Sequence, residues 1–93
     1  VTPRLARRIA SDQRAHAVRR AAERFGLTLN RAALDALAGM IRRGELAHIV
    51  TRPSGKSLYA MKVDESGREC CVVYDSHTGA VVSFLPRPRA GVA

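Results

Sequence analysis

Ninety-three residues make one domain near the lower end of independently stable sizes, which argues against a deep, enclosed active site. Sixteen basic residues against eight acidic give a net charge of +8, and 14 of the basic residues are Arg. No apolar run is long enough to cross a bilayer and no charged-then-apolar leader opens the chain, so the expectation is a cytoplasmic protein with no membrane partner.

The charge is uneven. Residues 1–44 carry +7 and residues 45–93 carry +1. Such a field favours polyanions, and the planar guanidinium fork suits phosphates. Nucleic acid or an acidic protein is the partner class implied, against the plain alternative of an Arg-rich genome composition. Cys70 and Cys71 are adjacent and point to opposite faces of a strand, so they read as two small buried hydrophobes rather than a disulfide. With only His16, His48 and His77 besides, no metal-ligand spacing exists, and neither a metal nor another cofactor is expected.

Thr2-Pro3 can open a helix, with Thr as N-cap and Pro at its first position. Leu5 and Ile9 form one stripe, while Ala15, Val18, Ala22 and Phe25 form another. At about 100° per residue the two stripes point in different directions. The expectation is therefore a basic arm or short helix over residues 1–10, held loosely, and a main helix from Ser11 to Phe25. Gly26 supplies its C-cap. Asn30 caps a second helix, with Leu29 and Leu34 as a hydrophobic staple and Leu34, Leu37, Met40 and Ile41 as its buried stripe. Gly39 leaves room for close helix–sheet contact, and Gly44 stops the helix.

From Leu46 the pattern changes to four short β-rich runs separated by turn clusters, "PSGKS", "ESGR" and "SHTG". Antiparallel pairing of neighbours is the simplest closure. Alternation places Ala47, Ile49 and Thr51 on one face of the first strand and His48, Val50 and Arg52 on the other. Tyr59, Met61 and Val63 share a face of the second. The third, apolar on both faces, reads as central. Pro86 ends the fourth, and residues 87–93 read as a disordered tail. The fold class is α+β: two N-terminal helices packed on a four-stranded antiparallel meander, with residues 11–86 as the single domain.

Three readings of the chemistry compete. A helix-turn-helix would make the second helix the reader, but that helix offers Arg31, Asp35 and Arg42 around an apolar stripe, and no third helix follows. Gly-Lys-Ser in "PSGKS" joins two strands, whereas a phosphate-binding loop joins a strand to a helix. The remaining candidates are proton-transfer and cationic groups on the sheet. His48 and Arg52 share a strand face, Lys56 lies in the first hairpin, and Tyr74, His77 and Ser83 lie in the closing one. Arg14, Arg19, Arg20, Arg24 and Arg31, with Lys56, form the candidate polyanion surface. Each has a plain alternative: His77 as an exposed turn residue, His48 as a surface residue, Tyr74 as half core, Asp75 as a turn acceptor.

"RAHAVRRAAERFGLTLN…GMIRRGE", followed by strands closing on "VVYDSHTGAVVSFLP", resembles the fold shared by barnase, EndoU, colicin nuclease domains and RelE toxins. It is more similar still to short bacterial and phage proteins of that fold. The resemblance spans roughly residues 14–86. Two places depart from the usual pattern: "RFG" ends the first helix, and Ser83 stands where a Thr is commoner. His16 matches the family's helix His. The resemblance implies an RNA-directed protein, a metal-independent ribonuclease in which His77, His48, Arg52 and Tyr74 would handle protons and transition-state charge. RNA is the first expected partner and DNA the second. The alternative is a non-catalytic phage-type inhibitor or adaptor that binds a host protein, or its nucleic acid, through the Arg-rich face. A toxin-like module masked by a cognate inhibitor is the third.

Overall fold

The computed structural model describes residues 2–86. Thr2 starts the first helix, its hydroxyl accepting from the Leu5 amide at 3.2 Å, with Pro3 next. This helix, α1, runs unbroken over Pro3–Phe25. The expected restart at Ser11 is not there. No Gly or Pro interrupts the Ala- and Arg-rich stretch, so backbone preference carries the helix through the phase break. Leu5 and Ile9 stay exposed, at 47% and 38%. The buried stripe also differs from expectation. Ala10, Ala17 and Ala21 are buried, Val18 and Phe25 pack at the margin, and Ala15 and Ala22 face solvent. The small alanines let α1 lie close against the sheet.

Gly26, at φ +65°, ends α1, with its own amide on Ala22 and the Leu27 amide on Ala21. The second helix, α2, spans Arg31–Arg42. Asn30 caps it by accepting from the Ala33 amide at 2.9 Å. Its buried residues are Leu34, Ala38 and Ile41, with Leu37 partly covered. Gly39 does not serve close packing on the sheet: a side chain there would meet the Arg43 guanidinium.

Four strands follow: β1 (Ala47–Thr51), β2 (Lys56–Lys62), β3 (Glu69–Asp75) and β4 (Ala80–Pro86). They pair antiparallel in the order β1-β2-β3-β4, with β3 buried on both faces as its composition implies. α1 lies over β4, and α2 also reaches that strand. The main core joins Ala17, Ala21, Leu34, Ala38 and Ile41 of the helices to Cys70, Val72, Tyr74, Val81 and Phe84 of the sheet. A smaller cluster on the other face gathers Leu58, Cys71 and Val73, with Ile49, Val82 and Leu85 beside them.

The first strand corrects the alternation. His48 pairs with Tyr59 and Val50 with Leu58, so Ile49 is an extra residue in a bulge. His48 and Thr51 consequently share the helix-side face, and Val50 turns to the other. The expected sharing of a face by His48, Val50 and Arg52 fails for this reason. The proposed tail, residues 87–93, lies outside the described residues, as does Val1.

The Cys70 and Cys71 side chains are both fully buried. Burial, with Cys71 adjacent, pushes the Cys70 thiol up from 9.0 to about 11. The unfolded chain therefore ionises this thiol first. Its contribution to stability is whole below about pH 9 and is lost as pH rises toward about 11. Urea melts at about pH 8 and about pH 10.5 should show that loss, and Cys70→Ala should reduce it. An equal alkaline loss in the variant would assign the effect to other groups.

Candidate nucleic-acid interface

Two hairpin turns meet at one end of the sheet. The first, residues 52–55, closes with the Arg52 amide on Lys56 O and the Gly55 amide on Arg52 O. The second, residues 76–79, closes with the Gly79 amide on Asp75 O. The Ser76 hydroxyl donates to Gly55 O at 3.2 Å and ties the turns together. The His77 ring lies on Gly55. A Cβ at Gly55 would sit 2.6 Å from His77 Nε2, and its φ of +87° also favours glycine. Glycine in "PSGKS" thus makes the seat for an imidazole from the neighbouring hairpin.

Asp75 is the hub beneath them. Its Oδ1 accepts from the His77 amide at 2.9 Å, and its Oδ2 accepts from Gln13 Nε2 of α1 at 3.0 Å. Thr78 donates its hydroxyl to Gln13 Oε1 at 2.6 Å. Lys56 stands opposite Asp75 in the strand register. Burial works against the Asp75 charge, but the bonds from Gln13 and His77, with Lys56 nearby, hold the carboxyl below its usual range. Arg42 at the end of α2 donates to Gly79 O at 3.4 Å. The first two turns of α1 extend over this end of the sheet. A cleft of about 420 Å³ lies between them, lined by Ala6, Ile9, Asp75, His77 and Thr78.

A second constellation occupies the helix-side face of β1–β3. His48 meets Tyr59 edge-on at 5.3 Å between centroids, and Tyr59 meets Tyr74 at 6.4 Å. His48 Nε2 is 2.8 Å from the Thr51 hydroxyl, which is 3.0 Å from that of Ser57. The bulge at Ile49 makes this row possible. The four residues expected to act together therefore fall into two groups. Tyr59 joins His48 to Tyr74, while His77 and the backbone of Arg52 belong to the joined turns. Among the described residues no hydrogen bond links the two imidazoles.

The candidate cations also divide. Arg14 and Arg31 both reach Asp35, at 4.0 and 3.8 Å. Arg20 pairs with Glu23 at 2.9 Å and donates to His16 at 3.4 Å. Arg24 donates to Phe84 O at 2.9 Å. Arg19 is exposed with no such partner among the described residues, as are Arg4, Arg7 and Arg8. Helical spacing sets Arg4, Arg8 and Arg19 opposite the buried alanines. His16 is half-buried; desolvation first, then Arg20, Arg19 and Arg24, lower its pKa. Gln13 and Thr78 were not candidates from the sequence. The signal for Gln13 was present: it is the polar position between Ala10 and Ala17 on the stripe that faces the sheet.

No protein-family model matches the chain, no curated protein is detectably similar to it, and no solved structure matches it. Fold and site together define an α+β protein with two helices on one face of a four-stranded antiparallel meander. Its polar groups gather where two hairpin turns meet beneath the start of α1. Among the described residues no helix is long and apolar enough to cross a membrane.

Proposed function

We propose that this is a cytoplasmic, RNA-directed protein of RelE/barnase-like architecture that engages single-stranded RNA at the turn end of its sheet. One observation carries the proposal: the joined turns gather His77, Lys56 and Arg52 at one end of a chain whose α1 presents unpaired arginines. Lys56 and Arg52 suit phosphate, and His77 supplies an imidazole, the side-chain type most often used for proton transfer. In metal-independent cleavage the ribose 2′-hydroxyl attacks the adjacent phosphate. His77 would move the proton, and the cations would stabilise the charge that develops.

The separation of His48 from His77 favours a second reading. A non-catalytic inhibitor or adaptor needs the cations but no convergent pair of imidazoles, and it would use the same surface on a host protein or on that protein's nucleic acid.

Salt dependence tests the RNA proposal. With about four phosphates neutralised on a single strand, affinity should fall roughly 50-fold between about 50 and 200 mM salt. Replacing Arg4, Arg7, Arg8 and Arg19 with Ala should flatten the slope. These four are the right set because Arg14, Arg20, Arg24 and Arg31 already have partners. Absence of binding at low salt, or binding indifferent to salt, would remove RNA as the partner.

A further inference from the structure

We propose that the cleft between the first turns of α1 and the 76–79 turn is a nucleobase site selective for bases bearing an exocyclic amine, cytosine among the pyrimidines. The inference rests on the RNA proposal above and goes beyond it by assigning what the protein reads.

The cleft has the size and chemistry such a site needs. At about 420 Å³ it falls within the range of about 300–1,000 Å³ usual for small-molecule clefts. Ala6 and Ile9 give it an apolar wall on the helix side, and His77 and Thr78 line the sheet side. Ile9, 38% exposed on the helix, has no core role. Its methyl groups would be covered by a base stacked against them. Gly55 fixes the imidazole opposite: the ring can lie where it does because no Cβ stands in its way. A flat ring between an aliphatic wall and an imidazole is a common way of holding an unpaired base.

Asp75 sets the preference. An ionised carboxylate only accepts hydrogen bonds, at about four lone-pair positions. Two of these are taken, one on each oxygen, by the His77 amide and by Gln13. The rest remain for a donor in the cleft. Those two bonds also fix the carboxylate's orientation, so it would not need to reorganise when a base arrives. Cytosine presents its N4 amine to such an acceptor, and adenine its N6 amine. Uracil offers one N3–H between two carbonyl oxygens, so at least one oxygen faces the carboxylate and repels it.

The test compares labelled C10 and U10 RNA, two pyrimidine strands of equal charge, on the full chain at one salt concentration by fluorescence anisotropy. C10 should bind roughly tenfold tighter than U10, the scale of one good base-edge contact. Asp75→Asn should bring the two affinities within about twofold of each other, since the amide presents a donor as well as an acceptor. Because that change could disturb the turn, Ile9→Ala is the second variant. It lies on an exposed helix surface, leaves the charge unaltered and should weaken C10 more than U10. Equal, salt-dependent binding of both strands by the wild-type protein would overturn the base site while leaving the RNA proposal standing. A C10 preference that survives both variants would overturn it too. Failure of both strands to bind at low salt would overturn the site together with the RNA proposal.

Discussion

If the proposed ribonuclease reading holds, replacing His77 with alanine is expected to slow RNA cleavage about 10²–10⁴-fold, the usual worth of a general acid or base. The assay is cleavage of single-stranded RNA in EDTA, with the ends of the products identified. Products should carry 2′,3′-cyclic phosphate, because the nucleophile belongs to the substrate. DNA and 2′-O-methyl RNA should stay intact. Anisotropy should show RNA binding changed much less than rate. His48→Ala should have a smaller effect than His77→Ala. Its ring is engaged with Tyr59 and Thr51 on the strand face, whereas the His77 ring lies against Gly55 where the two turns meet. If the wild-type protein leaves RNA intact while binding it, the ribonuclease reading fails and the adaptor reading takes its place. If His48→Ala is the more damaging variant, the chemistry belongs to the aromatic row and not to the turns.

Replacing Phe84 with alanine is expected to destabilise the fold by about 3–5 kcal/mol, the usual cost of emptying an aromatic core position. Phe84 is fully buried and is the largest such side chain among the described residues. It sits on β4, the strand that carries the helix layer. A chain of this length has about 5–14 kcal/mol of total stability, so the change removes a large part of it. Val50→Ala, at a position 44% exposed, should stay within about 0.5 kcal/mol. Urea melts of both variants check the pair. A loss below about 1 kcal/mol for Phe84→Ala would mean that the helices are not anchored through β4.

Local chemistry was read from the sequence where one residue type dictates one conformation. Gly26 and Asn30 fix the helix ends, and the turn clusters fix three hairpins. The doubly apolar run around Cys70–Tyr74 marks the inner strand. What escaped was decided by packing between distant parts of the chain. The phase break in α1 reads as a boundary because its two apolar stripes point in different directions; on the continuous helix Leu5 and Ile9 lie outside, and alanines do the packing. The bulge at Ile49 has no Gly to announce it, and one extra residue reversed the facing of everything after it in β1. Gln13 meets Asp75 across 62 positions of sequence, and His77 meets Gly55 across another hairpin. Of the candidate site, the residue types at the turns were legible. Their assembly beneath α1 was not, because periodicity within one element says nothing about which end of a sheet a helix overhangs.

The bulge and the Arg24 contact have a further consequence at the margins of the sheet. A four-stranded meander has two open borders, each a row of amides and carbonyls able to recruit a strand from another molecule. On β4 the Arg24 guanidinium occupies Phe84 O, one of the acceptors such a strand would need. On β1 the extra residue at Ile49 interrupts the ladder within a strand of five residues, too irregular to template a long extension. The exposed Arg24 and the extra residue at Ile49 thus each interrupt one border of the sheet, which is how natural sheets discourage pairing with another chain. Removing either device would leave that border more open to pairing with a strand of another chain.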